Sequence, residues 1–332
     1  MNLLARLLQA HKQKKNQVAK RAYEFNAEVG FWGVKSIEMT SEGEAGVYDV
    51  VHNEDGNRDI PYLPKDSKNS IVCIGGSHSW GGGVNQTERY SDVLRELTGE
   101  QIVNMGHCSL GLDQVCVALM QKSAKYNPKI IVIEQHPWAI VRLLNNYVNG
   151  YLKPVFSLDK TGKLCFQKVP NYAKYTSVRN LIGRYYAYRK ELNEFRSGIE
   201  LASDYDPLTD PVFFQWKGNH YDYINTLAEK VIAVIRDHCR KNNIKLLFSL
   251  GVIHQQFYNS PPSLLVDYNL PRRRLIQTLD KLNVAWVDMT APMLSEHTAE
   301  DPVIFNDGHI NVKGHRIFGE VVSATLEDKG WI

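Results

Sequence analysis

Ile71-Val72-Cys73-Ile74-Gly75-Gly76-Ser77 is the stretch on which the fold turns. A half-exposed strand alternates apolar and polar side chains; an uninterrupted apolar run bounded by Gly-Gly reads as a short strand buried on both faces. Outward from it the same signature recurs at Ile102-Val103, Lys129–Glu134, Lys245–Val252 and Val284–Asp288. Between these runs the period becomes helical. Thr87–Leu97 reads as a helix. Leu112, Val115, Cys116, Leu119 and Met120 share one face and predict a helix over 112–126. Ile224, Leu227, Ala228, Val231, Ile232 and Ile235 mark a long helix, and Leu270–Leu282 starts another near Pro271. Ile317, Phe318, Val321, Val322 and Leu326 mark the last, with Asn311 placed to cap it. Strands alternating with helices predict a parallel sheet with crossover helices, here a five-stranded α/β sandwich covered on both faces.

Three segments fall outside that rhythm. Residues 25–70 are rich in Gly and Pro and read as a lead-in with one or two short strands, including Ala45–Val51. Residues 138–218 read as an insertion over the sheet. It holds a β-hairpin at Val155–Phe166 turning at Gly162, then a basic, tyrosine-rich helix at Val178–Phe195. Residues 1–23 read as a basic amphipathic helix: Leu3, Leu4, Leu7 and Leu8 share a face, and Arg6, Lys12, Lys14, Lys15, Lys20 and Arg21 precede the first acid, Glu24. Such an arm either docks weakly on a membrane surface or a protein partner, or lays its leucines on the main body. The expected organisation is a lead-in over 1–69 and one domain over 70–332.

Composition sets the outer bounds. With 332 residues, 43% of them hydrophobic and 23% charged, the chain can bury a core without staples. Lys+Arg 39 against Asp+Glu 36 gives +3, too balanced to indicate a nucleic-acid partner. The five cysteines, at 73, 108, 116, 165 and 239, include no C-x-x-C pair, which speaks against a disulfide framework or zinc ribbon. A reducing, cytoplasmic compartment is expected, peripheral to the inner membrane if the arm docks there. The leucines precede the lysines, the reverse of a secretory signal, and no apolar stretch reaches the length of a membrane span. The eleven histidines show no H-E-x-x-H or comparable spacing, so neither a metal nor another cofactor is expected.

Ligands of parallel sheets lie beyond the carboxyl ends of the strands. Ser77 sits there, between Gly75-Gly76 and Gly81-Gly82-Gly83. A phosphate loop would need a G-K-[ST] ending that this turn lacks. Asp307-Gly308-His309 stands ahead of the last helix as a compact base and orienter, the unit that a weak serine nucleophile requires. Taken singly, the first motif reads equally as a plain Gly-rich turn, and the second more often as a turn than as a catalytic pair.

Together, in this order, they resemble the SGNH/GDSL hydrolase family over about residues 70–330, with gaps in the insertion. Ile71–Ser77 resembles its first block, Asn104–Gln114 its second, and Asp307-Gly308-His309-Ile310-Asn311 with Gly314-His315-Arg316 its last. The set is similar to the branch found with bacterial surface-polysaccharide and sugar O-acyl modification. The resemblance implies a flavodoxin-like α/β/α sandwich, with Ser77 as nucleophile, His309 as base, Asp307 as orienter, and the backbone N–H groups of Ser77 and Ser109 holding the oxyanion. The chain departs from the pattern in four places. G-D-S reads Gly75-Gly76-Ser77, the second-block glycine is Ser109, the D-x-x-H acid position 306 is Asn, and the third-block asparagine falls near Trp138. Gln135 or His136 are the available replacements for that asparagine's side-chain donor.

His78, His107 and His136 are expected substrate contacts, with local packing as the competing reading for the first two; His315 is expected to be structural. Tyr147, Tyr151, Tyr172, Tyr175, Tyr185, Tyr186 and Tyr188 suit either a platform for sugar rings or an insertion core. Cys73 and Cys108 are expected to pack beside the site. The implied activity is serine-dependent hydrolysis of O-acyl, most simply O-acetyl, esters on a carbohydrate through an acyl-enzyme. A sugar O-acyltransferase on the same scaffold and a catalytically weakened glycan-binding protein are the alternatives.

Overall fold

A strand that is apolar on both faces must be covered on both, and the sheet meets that demand. The computed structural model describes residues 22–61, 70–144, 146–148, 151–169, 218–252, 257 and 269–332. The strands β1 (Ser70–Gly75), β2 (Ile102–Asn104), β3 (Pro128–Gln135), β4 (Lys245–Leu250) and β5 (Ala285–Asp288) form one five-stranded sheet in the order β5-β4-β3-β1-β2. Every pairing in it is parallel. Crossover helices supply the two outer layers: α1 (Ser77–Trp80), α2 (Tyr90–Thr98), α3 (Leu112–Lys122), α4 (Gly218–Lys241), α5 (Leu270–Lys281), α6 (Thr290–Glu296) and α7 (Val312–Asp328).

The two-residue period of a strand divides the core. Val72, Ile74, Ile131, Ile133 and Phe248 pack with Val115 and Leu119 of α3, Leu227 and Val231 of α4 and Leu275 of α5. Ile71, Cys73, Ile130, Val132 and Leu247 point the other way, onto Leu94 of α2, Met293 of α6 and Phe318 and Val322 of α7. The result is a flavodoxin-like α/β/α sandwich. Asn311 caps α7, its Oδ1 accepting the Gly314 N–H at 3.0 Å.

The lead-in holds more strand than expected. Tyr23–Asn26 pairs with Gly30–Gly33, and Glu38–Gly43 with Gly46–Val51, as two antiparallel hairpins. Both are tied to the sandwich. Tyr23, Phe31 and Trp32 enter its core. Arg58, fully buried, donates to the carbonyl oxygens of Asp49, Trp80, Gly81 and Val84. In the insertion, Val155–Leu158 pairs with Leu164–Gln167, and Lys153 forms a fully buried ion pair with Asp113 at the start of α3. The 3₁₀ helix Pro137–Leu144 and helix α6 were not anticipated. The basic arm to residue 21, the helix expected at Val178–Phe195, and Tyr172, Tyr175, Tyr185, Tyr186 and Tyr188 lie outside the described residues. Among the described residues no helix is long and apolar enough to cross a membrane.

Candidate active site

In this strand order the chain leaves β1 toward opposite sides of the sheet for β2 and β3, which opens a crevice at their carboxyl ends. The backbone of β1 enters it through Gly75. A Cβ there would come within 2.6 Å of the Glu134 carbonyl oxygen and of Ser79 Oγ, so the close approach demands glycine. Ser77 follows as the first residue of α1, half-buried at the crevice.

The opposite wall is the Phe305–His309 turn. Phe305 N–H donates to the His309 carbonyl at 2.7 Å and Gly308 N–H to that of Phe305 at 3.0 Å. The turn places Asp307 beside His309: the ring Nδ1–H donates to Asp307 Oδ2 at 3.0 Å, and the His309 backbone N–H to Oδ1 at 2.9 Å. The bond from His309 holds the Asp307 carboxyl down at about 2, so it is ionised at neutral pH. The far edge of the imidazole faces the loop after Ser77. A Cβ on Gly82 would lie 3.3 Å from His309 Cδ2 and 3.5 Å from Nε2. The structure thus brings the turn of Ser77, His309 and Asp307 to one crevice. Among the described residues no bond joins Ser77 Oγ to Nε2; such bonds are often loose without substrate.

Ser109 adopts a left-handed φ of 66°. This is a region that a side chain disfavours and glycine adopts freely. Neither the Ser77 nor the Ser109 N–H donates to a protein acceptor among the described residues.

Beneath the turn of Ser77 lies a layer of ionisable side chains with no recognised motif. Glu134, at the end of β3, accepts from the Gly76 N–H at 3.0 Å and from Ser79 Oγ at 3.5 Å. Burial raises its carboxyl to about 7, against the pull of the Gly76 N–H and Arg142. His78 Nδ1 stands 3.9 Å from Glu134 Oε1, and burial with the neighbouring His309 lowers that imidazole to about 3. The His78 ring lies 5.8 Å from that of His309 and 5.5 Å from that of His136.

The other expected site residues sort by geometry. His136 is half-buried beside Trp138. The Gln135 amide donates to the His136 carbonyl at 2.8 Å. His107 corrects an expectation: it is 0% exposed, its ring 4.0 Å from that of Trp32 and 5.7 Å from that of Tyr23, and no substrate reaches it. The second block had suggested a contact, but the lead-in covers this histidine. His315 is buried and accepts the Tyr90 N–H at 3.1 Å. Burial pushes Cys73 to about 12 and Cys108 to about 11, which leaves both thiols neutral, the first in the core and the second at the wall of the cavity in front of His309.

The lead-in also builds the mouth of the crevice. A cavity of about 170 Å³ in front of His309 is lined by Tyr23, Tyr48, Trp80, Phe305 and Glu42. Glu44, at the tip of the Glu38–Val51 hairpin, accepts from the Asn306 N–H at 2.9 Å and its side-chain amide at 2.7 Å. A larger cavity of about 500 Å³ runs past Trp32, Lys122 and Tyr126. It touches neither Asp307 nor His309, whereas both line the smaller cavity together with Gly82 and Gly83 of the loop after Ser77.

No protein-family model and no curated protein matches the chain. Its structural neighbours include lipolytic proteins of the G-D-S-L family and esterases. A member of the lipolytic G-D-S-L family from Veillonella parvula is 9% identical, covers 78% of this chain and 99% of its own, and superposes with a TM-score of 0.43. The esterase EstA from a Pseudoalteromonas species is 9% identical over 80% of this chain and 100% of its own, TM-score 0.43. An acetyl xylan esterase is 10% identical over 77% and 99%, TM-score 0.44. The roles assigned below rest on the residues of this chain.

Proposed function

We propose that the protein is an SGNH-type serine esterase that removes O-acyl groups, most simply O-acetyl, from a carbohydrate. The observation that carries this reading is the Asp307–His309 pair, turned so that its Nε2 edge faces the loop following Ser77. Ser77 Oγ attacks the ester carbonyl while His309 takes its proton. The carbonyl electron pair moves onto oxygen, where the Ser77 and Ser109 N–H groups receive it. Collapse expels the sugar oxygen, protonated by His309. Water, deprotonated by the same imidazole, then releases the acid. Asp307 holds the tautomer and offsets the imidazolium charge. The aromatic walls and the carboxylate of Glu42 in the adjoining cavity suit the apolar face and hydroxyl edge of a sugar ring.

Solvent access favours hydrolysis over acyl transfer to a second sugar: the Asp307 and His309 side chains are 63% and 34% exposed. A fluorophosphonate adduct mapped by mass spectrometry tests the nucleophile. The expected result is modification of Ser77 and loss of acetyl-ester hydrolysis in Ser77→Ala. An unlabelled Ser77 with a fully active Ser77→Ala would sink the reading.

A further inference from the structure

We propose that the guanidinium of Arg142 supplies the third oxyanion contact of this site, in place of the asparagine that the chain lacks. The inference rests on the serine-esterase reading above. Arg142 is the one charged residue in Pro137–Leu144, a segment whose Ile140, Val141, Leu143 and Leu144 are buried in the core. An arginine held in such a segment, directly after β3, stands beside the crevice.

Its position is fixed from both sides. A Cβ on Gly76 would lie 3.8 Å from Arg142 Nη1, and one on Gly111 would lie 3.2 Å from Arg142 Cβ. Nη1 donates to the Leu110 carbonyl at 3.2 Å. The head group therefore spans from the residue before Ser77 to the residue after Ser109. Ser77 and Ser109, adjoining those two positions, carry the backbone N–H groups assigned to the oxyanion.

Its donors are available. The Leu110 bond is the only hydrogen bond from its guanidinium among the described residues, and no carboxylate there comes within ion-pair distance. The guanidinium carbon sits 5.0 Å from the Trp138 ring centroid, which keeps the plane oriented without consuming an N–H. Burial disfavours its charge, while Glu134, Cys108 and Asp113 favour it. Trp138, at the expected asparagine position, thus serves as the plate on which the substitute lies. When Ser77 Oγ bonds to the carbonyl carbon, the former carbonyl oxygen takes a full negative charge. A fixed guanidinium meets that charge with charge-assisted hydrogen bonds that the neutral ester does not elicit.

The test compares Arg142→Ala, Arg142→Lys and Ser77→Ala in the full chain with 4-nitrophenyl acetate. The double variant Arg142→Ala/Glu134→Gln is included because it leaves no uncompensated carboxylate under the turn. Arg142→Ala, or the double variant if the single one does not fold, should lose about 10²–10³-fold in kcat. KM should stay within about threefold, and added guanidinium at millimolar concentration should restore part of kcat. Arg142→Lys should retain the fold and recover part of the rate. A kcat within about threefold of wild type in a folded Arg142→Ala or double variant, with Ser77→Ala inactive, overturns the role of Arg142 and leaves the esterase reading intact. A raised KM at unchanged kcat also overturns it, because it assigns Arg142 to ground-state binding. A fully active Ser77→Ala overturns both.

Discussion

Glu134→Gln isolates the most perturbed acid in the crevice. The Glu134 carboxyl stands at about 7 in the fold against an ordinary 4.5, because its oxygens lie buried beneath the Gly76 turn. The native state therefore holds a proton that the unfolded chain has already released between pH 4.5 and about 7. Stability falls as pH rises wherever the native state binds more protons, so this group is neutral in effect below pH 4.5 and fully destabilising above about 7. A shift of about 2.5 units corresponds to about 3 kcal/mol. Glutamine keeps an oxygen for the Gly76 N–H and cannot ionise. The variant should match wild type near pH 4.5 and exceed it by about 3 kcal/mol at pH 8, as read from urea unfolding at several pH values. Two curves that stay parallel across that range would refute the argument. They would mean that Arg142 or water stabilises the ionised carboxylate as well as bulk solvent does.

Three further perturbations test other parts of the structure. Arg58→Ala leaves the carbonyl groups of Trp80, Gly81 and Val84 without their buried donor and should lose about 3 kcal/mol or more in denaturant unfolding, with reduced kcat as the loop facing His309 relaxes. Ser109→Gly relieves a left-handed backbone and should gain about 0.5–1 kcal/mol, whereas Ser109→Val should lose at least about 1 kcal/mol; thermal melts in parallel distinguish the two. Burial holds the His107 imidazole well below its ordinary value, and neither ring nitrogen has a partner among the described residues. It therefore destabilises the fold as pH drops through the unfolded value near 6.5, and His107→Phe should flatten the acid side of the stability profile.

The sandwich was legible because its decisive signals are local. Ile71–Ile74 is apolar at every position, and the structure sends Ile71 and Cys73 to one helix layer and Val72 and Ile74 to the other. Asn311 as a cap and the Asp307–His309 unit are likewise pairs of near neighbours in sequence. The hidden parts depend on distant contacts. Glu38–Gly43 has a largely solvent-facing pattern, and only its pairing with Gly46–Val51 makes it a strand. Glu134 gains its meaning from Gly76, 58 residues away, and Arg142 from Leu110, 32 residues away. His107 reads as part of a site motif until Trp32 and Tyr23 close over it. A buried arginine inside an apolar run, as in Pro137–Leu144, is the one signal that could have pointed to the charged layer.

The clasp between Glu44 and Asn306 joins residues 262 apart in sequence. The mouth of the crevice is thus assembled from one hairpin near the start of the chain and one turn near its finish. Contacts of such separation form late, after shorter loops have closed. During synthesis on a ribosome, a nascent chain that already displays Glu44 and Ser77 still lacks His309 and the Asn306 donor that closes the clasp. On the proposed function, ester hydrolysis reports closure of the whole topology, and a product that stops before residue 307 holds the serine without its acid and base.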